Sequence, residues 1–332
     1  MKKKPYPITL LTGGLVKNPD PLYITDNQSP NVTNIRYHKG IVKRDFTPTS
    51  FGNTNSERVM KICKYPLRSG VDNVIVLTED AAYNYANSTF EAITGATFTG
   101  SSVDHFWYTV YDDVFICTNG YDPAKKWNGT TWANLGGLTD IKFKYNETFY
   151  NYHVICNIVD SSTPYPQRVK WSNIGNAEAY HYSKFFDLAD TPGHITGTIV
   201  YNDRLFVFKP DSIYEIYFIG GSDDFKARRV ITGVGCRAGQ TIKATSIGVI
   251  FLGTDGVYVF DGAAVRNISK PLFNYLFETG GREINIEAIG KAHAAYNYDP
   301  NEYLICLPSA GSDEADVLLK YDVDNNTWTR VS

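Results

Sequence analysis

The chain has 332 residues, of which 43% are hydrophobic and 14% aromatic, and its formal net charge is −3 at pH 7. This length and apolar content suffice for a large core without division into several domains. The near-neutral charge excludes a global basic field for nucleic acid. The 24 Tyr and 18 Phe, against 2 Met, favour β-structure, in which aromatic side chains cover pleated faces.

The first 50 residues do not share the pattern that fills the rest of the chain. Their density of Gly, Pro, Asn and Asp excludes long regular elements. One helical turn is predicted from Ser29 to Ile35, with Ser29 as its cap and Pro30 at its first position. One strand is predicted from Ile41 to Phe46. We therefore expect residues 1–50 to form an irregular arm that runs over the molecule or reaches a neighbouring one.

The N-terminus does not predict an export signal. Lys2-Lys3-Lys4 is basic, but the apolar run Ile8 to Leu11 is far shorter than the ~7–15 residues of a signal-peptide core. No segment approaches the ~20 apolar residues of a membrane span. We expect a soluble protein that is not secreted by the general route.

The stretch from Gly248 to Asn267 predicts a three-strand meander. It contains three short runs of apolar and aromatic residues, separated by the turns Gly253 to Gly256 and Asp261-Gly262. Asp-Gly between apolar runs is a strong hairpin signal, because tight turns need a positive φ that Gly and Asp tolerate.

The same pattern of an apolar run, a polar turn and a run ending in an aromatic residue occurs six times. Equivalent points are Val76, Ile116, Ile155, Val207, Phe251 and Ile305, at steps of 40, 39, 52, 44 and 54 residues. A repeat of about 40–50 residues made of four short strands is typical of a β-propeller blade. A β-sandwich is the alternative, but it has no reason to repeat its hairpins with this period.

The pattern predicts an all-β fold, a six-bladed β-propeller of four-stranded antiparallel blades over residues 51–332, after the arm at 1–50. The innermost strands are predicted at Phe106 to Tyr111, Ile195 to Tyr201, Thr241 to Ile247 and Ala292 to Tyr298. Whether a strand of the arm closes the last blade stays open.

Two helical insertions are predicted where the repeat is longest. Ala177 to Tyr180 fits a helical turn. The second insertion is a short helix between blades five and six, with Ser269 as cap and Pro271 in the first turn. Its apolar face and its closing turn are expected at Leu272, Phe273, Leu276, Phe277 and Gly280-Gly281.

The cysteines predict packing and not chemistry. They are odd in number and show no Cys-x-x-Cys spacing, and most of them follow an Ile within the repeat. Free Cys behaves as a small buried hydrophobic residue, so we expect the five to pack between blades in a chain that folds in a reducing cytoplasm. They are Cys63, Cys117, Cys156, Cys236 and Cys306.

Three carboxylate pairs are candidates for acid–base or metal chemistry, but each falls in a predicted turn, where Asp accepts hydrogen bonds from nearby backbone amides. They are Asp112-Asp113, Asp223-Asp224 and Asp322/Asp324. Asp322-x-Asp324-x-Asn326 opens like a calcium loop but lacks the Gly at position six and the Glu at position twelve.

Propeller glycosidases place carboxylates at the starts of inner strands. The titratable residues with that placement here are Asp104, His105 and His194. The boxes typical of sialidases are absent from the sequence, and the histidines lack metal-ligand spacing. We expect no catalysis, no cofactor and no metal. Four tryptophans at the predicted blade edges fit aromatic packing better than sugar stacking: Trp127, Trp132, Trp171 and Trp328.

Two sets of motifs resemble a known protein family. The first set lies in the arm: Gly13-Gly14-Leu15, Asp20-Pro21-Leu22, Asn34-Ile35-Arg36-Tyr37 and Gly40-Ile41-Val42-Lys43-Arg44. The second set is Thr232 to Ala238, followed by Gly253-Thr254-Asp255-Gly256-Val257-Tyr258. The first set resembles the opening of a group of tailed-bacteriophage virion proteins. The second resembles the central blade of the tail nozzle, or DNA-stabilisation, proteins of short-tailed double-stranded DNA bacteriophages. Together the two sets cover about a quarter of the chain.

The resemblance implies a virion protein at the tail or portal vertex, made in the host cytoplasm, that helps to retain and channel packaged DNA. Its implied partners are the adaptor, the portal, a tail fibre or tail tube, and copies of itself in a ring, expected to be a hexamer. The alternative function is a Kelch-like module that binds a host glycan or protein. Assembly contacts are expected at Arg36, Lys43 and Arg44, and structural roles in the repeat at Gly235, Cys236, Gly253, Asp255 and Gly256.

Overall fold

The computed structural model describes residues 12–17, 24–38, 41–45, 51–53, 57–86, 88–277 and 283–331. Six four-stranded sheets follow one another along the chain, and in each sheet neighbouring strands are also neighbours in sequence. Each sheet is therefore one antiparallel blade, and the fold is a six-bladed β-propeller. The predicted fold class is confirmed. Among the described residues, no helix is long and apolar enough to cross a membrane.

Two short strands precede the blades. They are β1 (Ile35–His38) and β2 (Ile41–Arg44), and they pair as an antiparallel hairpin. The strand predicted from Ile41 is thus confirmed through Arg44, while Phe46 and the predicted boundary between arm and propeller lie outside the described residues.

Blades one to three occupy residues 59–187. The strands of blade one are β3 (Val59–Pro66), β4 (Asp72–Thr78), β5 (Ala81–Ala86) and β6 (Thr89–Thr97). Those of blade two are β7 (Trp107–Tyr111), β8 (Val114–Thr118), β9 (Lys125–Trp127) and β10 (Trp132–Asn134). Those of blade three are β11 (Ile141–Phe149), β12 (Tyr152–Asp160), β13 (Thr163–Trp171) and β14 (Phe185–Asp187).

Blades four to six occupy residues 197–331. The strands of blade four are β15 (Gly197–Tyr201), β16 (Arg204–Lys209), β17 (Ser212–Phe218) and β18 (Phe225–Thr232). Those of blade five are β19 (Lys243–Thr245), β20 (Gly248–Leu252), β21 (Val257–Phe260) and β22 (Val265–Asn267). Those of blade six are β23 (His293–Asn297), β24 (Glu302–Pro308), β25 (Ala315–Asp322) and β26 (Thr327–Val331).

The chain divides into two compact units. One holds blades one to three and most of blade four, in Thr49–Lys209 and Tyr214–Arg229. The other holds the arm and blades five and six, in Met1–Pro48, Pro210–Ile213 and Val230–Ser332. Each unit has its own buried apolar clusters, and the cluster of the second unit includes Leu15 and Val32 from the arm.

The repeat points chosen from the sequence all lie on the second strand of a blade. Val76 is 5% exposed, and the other five are fully buried. This position is the centre of each blade, so a run of apolar residues is needed there whichever neighbours it meets. The predicted innermost strands are likewise confirmed as β7, β15, β19 and β23.

The turns of the meander in blade five form as predicted. Gly253 donates its backbone N–H to the Gly256 carbonyl at 2.8 Å, and the Asp261 carboxylate accepts the N–H groups of Ala263 and Ala264 at 2.8 Å. These bonds close the turns that separate β20, β21 and β22.

The predicted helices need correction. Lys270–Leu272 is a 3-10 turn followed by α1 (Phe273–Leu276), but Ser269 does not cap it, because its hydroxyl accepts the N–H of Val257 at 2.8 Å. Phe273 is 41% exposed and so is not on the buried face with Leu272 and Leu276. The expected closing turn Gly280-Gly281 lies outside the described residues.

Two other stretches are not helical. Ala177 to Tyr180 belongs to a hydrogen-bonded turn in which Ala179 donates to the Asn176 carbonyl at 3.4 Å. Ser29 to Ile35 is irregular, with φ +55° at Asn34, and Ser29 and Thr33 form isolated parallel bridges with Leu15 and Arg330. Pairing with other segments prevails here over the local preference of Ser-Pro for a helix start.

The packing role of the cysteines is confirmed for the four that are buried, and Cys306 is half-buried. Burial raises the pKa of Cys63 to about 12 and that of Cys236 to about 12. Trp127, Trp171 and Trp328 are at most 5% exposed and Trp132 packs against the core of blades one and two, so the packing interpretation of these rings is also confirmed.

A glycine in the arm is required by a close backbone approach. Gly14 has φ +74°, and a Cβ there would lie 2.8 Å from the Cβ of Thr327.

Gly14→Ala should therefore lower the free energy of unfolding by about 2–3 kcal/mol, because it adds both backbone strain and steric overlap. Gly311→Ala is the matched control, since Gly311 has φ +85° with open space around it, and should cost only about 1 kcal/mol. Denaturant titration measures both; equal losses would contradict the close approach.

Candidate functional site

The arm lies along the last strand of the propeller. Leu15 donates its N–H to the Trp328 carbonyl at 2.7 Å, and Asn34 donates to the Arg330 carbonyl at 2.9 Å. Arg330 in turn donates to the Val32 carbonyl at 3.0 Å. Blade six is complete without the arm, since β23 to β26 are consecutive in sequence. The arm therefore covers the edge of β26 instead of supplying a missing strand of the sheet.

A buried ion cluster fastens the end of the arm. The Lys320 ammonium, 2% exposed, contacts the carboxylate of Asp45 from the arm and that of Glu302 at 3.1 Å. Burial raises the pKa of Glu302, while the positive charge of Lys320 opposes that rise. Two carboxylates thus share one cation, and removing the cation would leave Glu302 buried without its positive partner and would take a positive partner from Asp45.

The residues expected to make assembly contacts lie on the hairpin of β1 and β2. Lys43 and Arg44 are exposed and Arg36 is half-buried. Arg36 pairs directly with Lys43 across the hairpin. Like charges in directly opposed positions repel each other, so the hairpin carries a concentration of positive charge. The sequence placed these three residues in one region, and the structure brings them to one hairpin.

The residues expected to have structural roles meet at the first turn of the blade-five meander. A Cβ at Gly253 would lie 3.2 Å from the Gly235 carbonyl oxygen, and one at Gly256 would overlap the Asn267 amide. Asp255 accepts the hydroxyl of Tyr258 at 2.7 Å, and Cys236 is fully buried. A Cβ would therefore be crowded at both glycines, and at Gly256 the end of the Asn267 side chain would have to move to admit it.

A cluster that the sequence analysis missed lies on the first strands of blades one to four. Glu147 on β11 accepts hydrogen bonds at its Oε1 from Trp107 Nε1 on β7 at 3.3 Å and from Thr198 Oγ1 on β15 at 3.2 Å. Lys61 on β3 places its ammonium 5.1 Å from the centre of the Trp107 ring. The first strand of a propeller blade is the one nearest the central channel, so four blades contribute to one polar group there.

Both charged members of this cluster have shifted pKa values. Desolvation raises the pKa of Glu147 to about 7, against the smaller opposing effects of its donors Trp107 and Thr198 and of Lys61. Desolvation likewise lowers the pKa of Lys61. The two side chains are half-buried, open to some water but enclosed by protein. A carboxyl group that titrates near neutrality can donate or accept a proton, which makes Glu147 the residue best placed for acid–base chemistry.

The carboxylates singled out in the sequence have structural partners. Asp112 and Asp113 both have positive φ, 48° and 61°, as the two residues of the turn between β7 and β8. Asp224 is buried and accepts hydrogen bonds from Tyr152 at 2.8 Å and from Trp171 at 3.0 Å, and it forms an ion pair with Lys184. These contacts explain the pairs at 112–113 and 223–224 without a catalytic role.

The remaining candidates also lack the arrangement of a reactive site. Asp322 accepts the backbone N–H and the side-chain amide of Asn325 at 2.9 and 2.8 Å, and Asp324 accepts the amide of Asn301. Asp104 accepts the N–H and hydroxyl of Ser101 at 2.8 Å. Over the residues that the structure describes, no group of three or more His, Cys, Asp or Glu side chains is arranged to hold a metal ion.

No family model matches the chain. No curated protein matches it either. Solved structures do align with it. The extracellular domain of a hybrid two-component system from B. thetaiotaomicron matches over 83% of this chain and 34% of its own, at 11% identity and a TM-score of 0.48. This chain therefore spans about a third of the first structure it matches.

Two further structures align with similar scores. YCF48 bound to a D1 peptide matches over 83% of this chain and 81% of its own, at 9% identity and a TM-score of 0.47. The WD40 domain of Pan2 from Neurospora crassa matches over 74% and 71%, at 10% identity and a TM-score of 0.41. Identities and TM-scores this low say nothing about what the chain binds or does. The assignment of the fold is based on the six four-stranded sheets of the chain itself.

Replacement of the buried cation should destabilise blade six more than replacement of one of its partners. Lys320→Met removes the cation from the buried carboxylate of Glu302 and from Asp45, so we expect a loss of about 3–5 kcal/mol in the free energy of unfolding. Asp45→Asn keeps the contact between Lys320 and Glu302 and should cost about 1–2 kcal/mol. The more exposed pair of Lys291 and Glu314 is the control, and Lys291→Met should change little. Urea titration measures the order, and a smaller loss for Lys320→Met than for Asp45→Asn would contradict it.

Glu147 should make the stability of the protein depend on pH. Its pKa of about 7 lies above the ordinary value of 4.5, so the folded protein holds a proton that the unfolded chain loses. The contribution of this proton to the free energy of unfolding is therefore fully present below pH 4.5 and is lost as the pH rises through 7. We expect the loss to be about 2 kcal/mol after allowance for partial exposure. In Glu147→Gln this fall should be absent.

Thermal unfolding between pH 5 and pH 8.5 measures the difference, with the exposed Glu91→Gln as control. We expect Glu91→Gln to follow the wild type and Glu147→Gln to gain relative stability at high pH. Parallel curves for all three proteins would show that Glu147 does not titrate in this range.

Proposed function

We propose that the chain is a structural component of a double-stranded DNA phage virion, a hexameric ring protein of the tail nozzle or the head–tail connection. The observation that carries the proposal is the arrangement of the segments with phage-like sequence. All of their described residues belong to one compact unit, and Gly13 to Leu15 and Asn34 to Tyr37 both lie beside the last blade. Two glycines of these segments have a physical reason, since a Cβ at Gly13 or Gly14 would lie less than 3.0 Å from a neighbouring atom.

The basic hairpin is the part of this unit best suited to bind a neighbour. Its positive side chains oppose each other in Arg36 and Lys43, with Arg44 exposed beside them. An acidic surface on an adjacent subunit or on an adaptor would remove this repulsion on binding. The hairpin is anchored through Asp45 and Lys320, so its position relative to blade six is fixed.

The near-neutral charge fits a protein past which DNA slides. Each phosphate that pairs with Lys or Arg strengthens binding, and a strongly basic lining would hold the genome in place. With a net charge of −3, the chain favours passage over retention by ion pairing. The proposed neighbours are the adaptor, the portal, and a tail fibre or tail tube, in a virion assembled from protein made in the host cytoplasm.

Charge reversal in the hairpin should block assembly without unfolding the protein. Lys43→Glu with Arg44→Glu changes two exposed side chains, so the melting temperature should shift by no more than about 2 °C. Native mass spectrometry should show hexamers for the wild type and monomers for this variant, and the variant should be absent from purified particles. Because Leu15 and Val32 are buried in the core of this unit, substitutions at the surface are a cleaner test than deletion of the arm.

Lys144→Glu with Lys226→Glu is the control, since it makes the same charge change at exposed positions in blades three and four. This control should assemble as the wild type does. A wild-type protein that is absent from particles and stays monomeric would contradict the virion proposal. A hairpin variant that assembles normally would contradict only the assigned contact.

A further inference from the structure

Aromatic rings of blades three and four form a surface cluster. Tyr150 and Phe218 are 53% and 43% exposed, and their ring centres are 5.4 Å apart with planes inclined by 31°. Phe218 rests on the buried ring of Phe225, at 5.7 Å between ring centres, and Tyr150 on the buried ring of Phe149, at 4.6 Å. Ile174 and Ile219, 61% and 42% exposed, add apolar surface in the loops that flank the rings. We call these four exposed residues the aromatic platform.

The backbone at Tyr150 is unusual for its residue type. Tyr150 has φ +46° and Asn151 has φ +60°, in the two-residue turn between β11 and β12. The corresponding turns of blades two and four contain Asp112-Asp113 and Asn202-Asp203, residue types that tolerate positive φ. A bulky aromatic residue is disfavoured at such a position. The ring packs against the buried ring of Phe149, at 4.6 Å between ring centres, and against Phe218, yet 53% of Tyr150 stays exposed. Since Asn or Asp would suit the turn better, the exposed ring points to a role in binding.

A cavity of about 460 Å³ adjoins the platform. Its apolar wall comes from blade two, and residues 175–178 of blade three form another side. Gly175, at its edge, donates its N–H to the Asn151 carbonyl at 2.9 Å, and Tyr111 from the wall donates its hydroxyl to the same oxygen at 2.9 Å. The turn that carries Tyr150 is therefore joined directly to the cavity. A volume in the range of ~300–1,000 Å³ is that of a small-molecule site.

The charged groups of this region neutralise one another. Lys126 and Glu178, which line the cavity, form an ion pair at 2.7 Å. Asp112, also in the lining, is paired with Arg68. Beside the platform, Lys184 and Asp224 are paired at 2.7 Å. A charged ligand would have to compete with an existing pair at each of these points, whereas an uncharged ligand would not.

Neutral hydrogen-bonding groups complete the lining. They are the side chains of Asn128, Thr131 and Asn176. A pyranose ring has one face of C–H groups, which packs on an aromatic ring, and hydroxyl groups that need amide or hydroxyl partners when they leave water. We propose that the aromatic platform and the adjoining cavity form a binding site for an uncharged oligosaccharide. The site is independent of the hairpin of the arm and of the proposed role in a virion.

The test is titration of the full chain with neutral oligosaccharides of four to six units, built from glucose, galactose, mannose or N-acetylglucosamine, by isothermal calorimetry. We expect at least one of them to bind with a Kd below 1 mM. Phe218→Ala should weaken that binding at least tenfold, and Thr131→Trp, at an exposed position that lines the cavity, should weaken it similarly. Tyr121→Ala, which removes a ring that is 52% exposed elsewhere in blade two, should leave it unchanged.

Tyr150→Asn separates a binding role from a structural one. Asn suits the positive φ of the turn, which offsets the lost contact with Phe149. This variant should therefore melt within about 2 °C of the wild type, while its affinity for the oligosaccharide falls at least tenfold. Absence of binding by every neutral oligosaccharide, or equal loss in Tyr121→Ala, would overturn the proposal. So would binding only of sialylated or uronate-containing oligosaccharides, because it would require a free cation where the structure has ion pairs. A Tyr150→Asn protein that melts lower and binds normally would also overturn it.

Discussion

The exposed edge of β26 has to be covered, and this requirement determines how the arm packs on blade six. A strand at the end of a sheet exposes unpaired N–H and C=O groups, which either bind another chain or must be covered. Here Leu15, Val32 and Asn34 bond to Trp328 and Arg330, so residues from the start of the chain cover its last strand. The absence of a side chain at Gly14 follows from this contact, and so does the buried pairing of Asp45 with Lys320. The hairpin with its positive charges is then held beside blade six.

Most of the propeller could be predicted because its signals are local and repeated. Val207 and Phe251 mark second strands for the same reason: a central strand is covered on both faces and needs apolar residues throughout. The Asp261-Gly262 turn was equally clear, since its hydrogen bonds join residues two or three positions apart. Predictions failed where a distant partner decided the outcome. Ser29 forms a β-bridge with Leu15 instead of capping a helix. The Ser269 hydroxyl accepts a hydrogen bond from the Val257 N–H and not from the turn that follows it.

The site residues that could be predicted are likewise those whose partners are close in sequence. Arg36, Lys43 and Arg44 were found because they are close in sequence, and one hairpin brings them together. Glu147 was missed because Trp107, Thr198 and Lys61 lie on three other blades and share no motif with it. Its sequence context gives no hint of a shifted pKa, since desolvation comes from the neighbouring strands. Tyr150 did leave a signal, an aromatic residue where its sister turns have Asp or Asn, but its meaning depends on knowing that the position has a positive φ.

The contact between the arm and β26 also has a consequence for the order of folding. Each blade is made of consecutive strands, so during synthesis a blade can pair its strands soon after they leave the ribosome. The arm is made before all six blades, yet its partners Trp328 and Arg330 lie on the last strand of blade six. The arm therefore cannot pair with β26 until the six blades have been made. A chain that stops before β26 cannot fix the basic hairpin in place, so docking of the arm depends on completion of blade six.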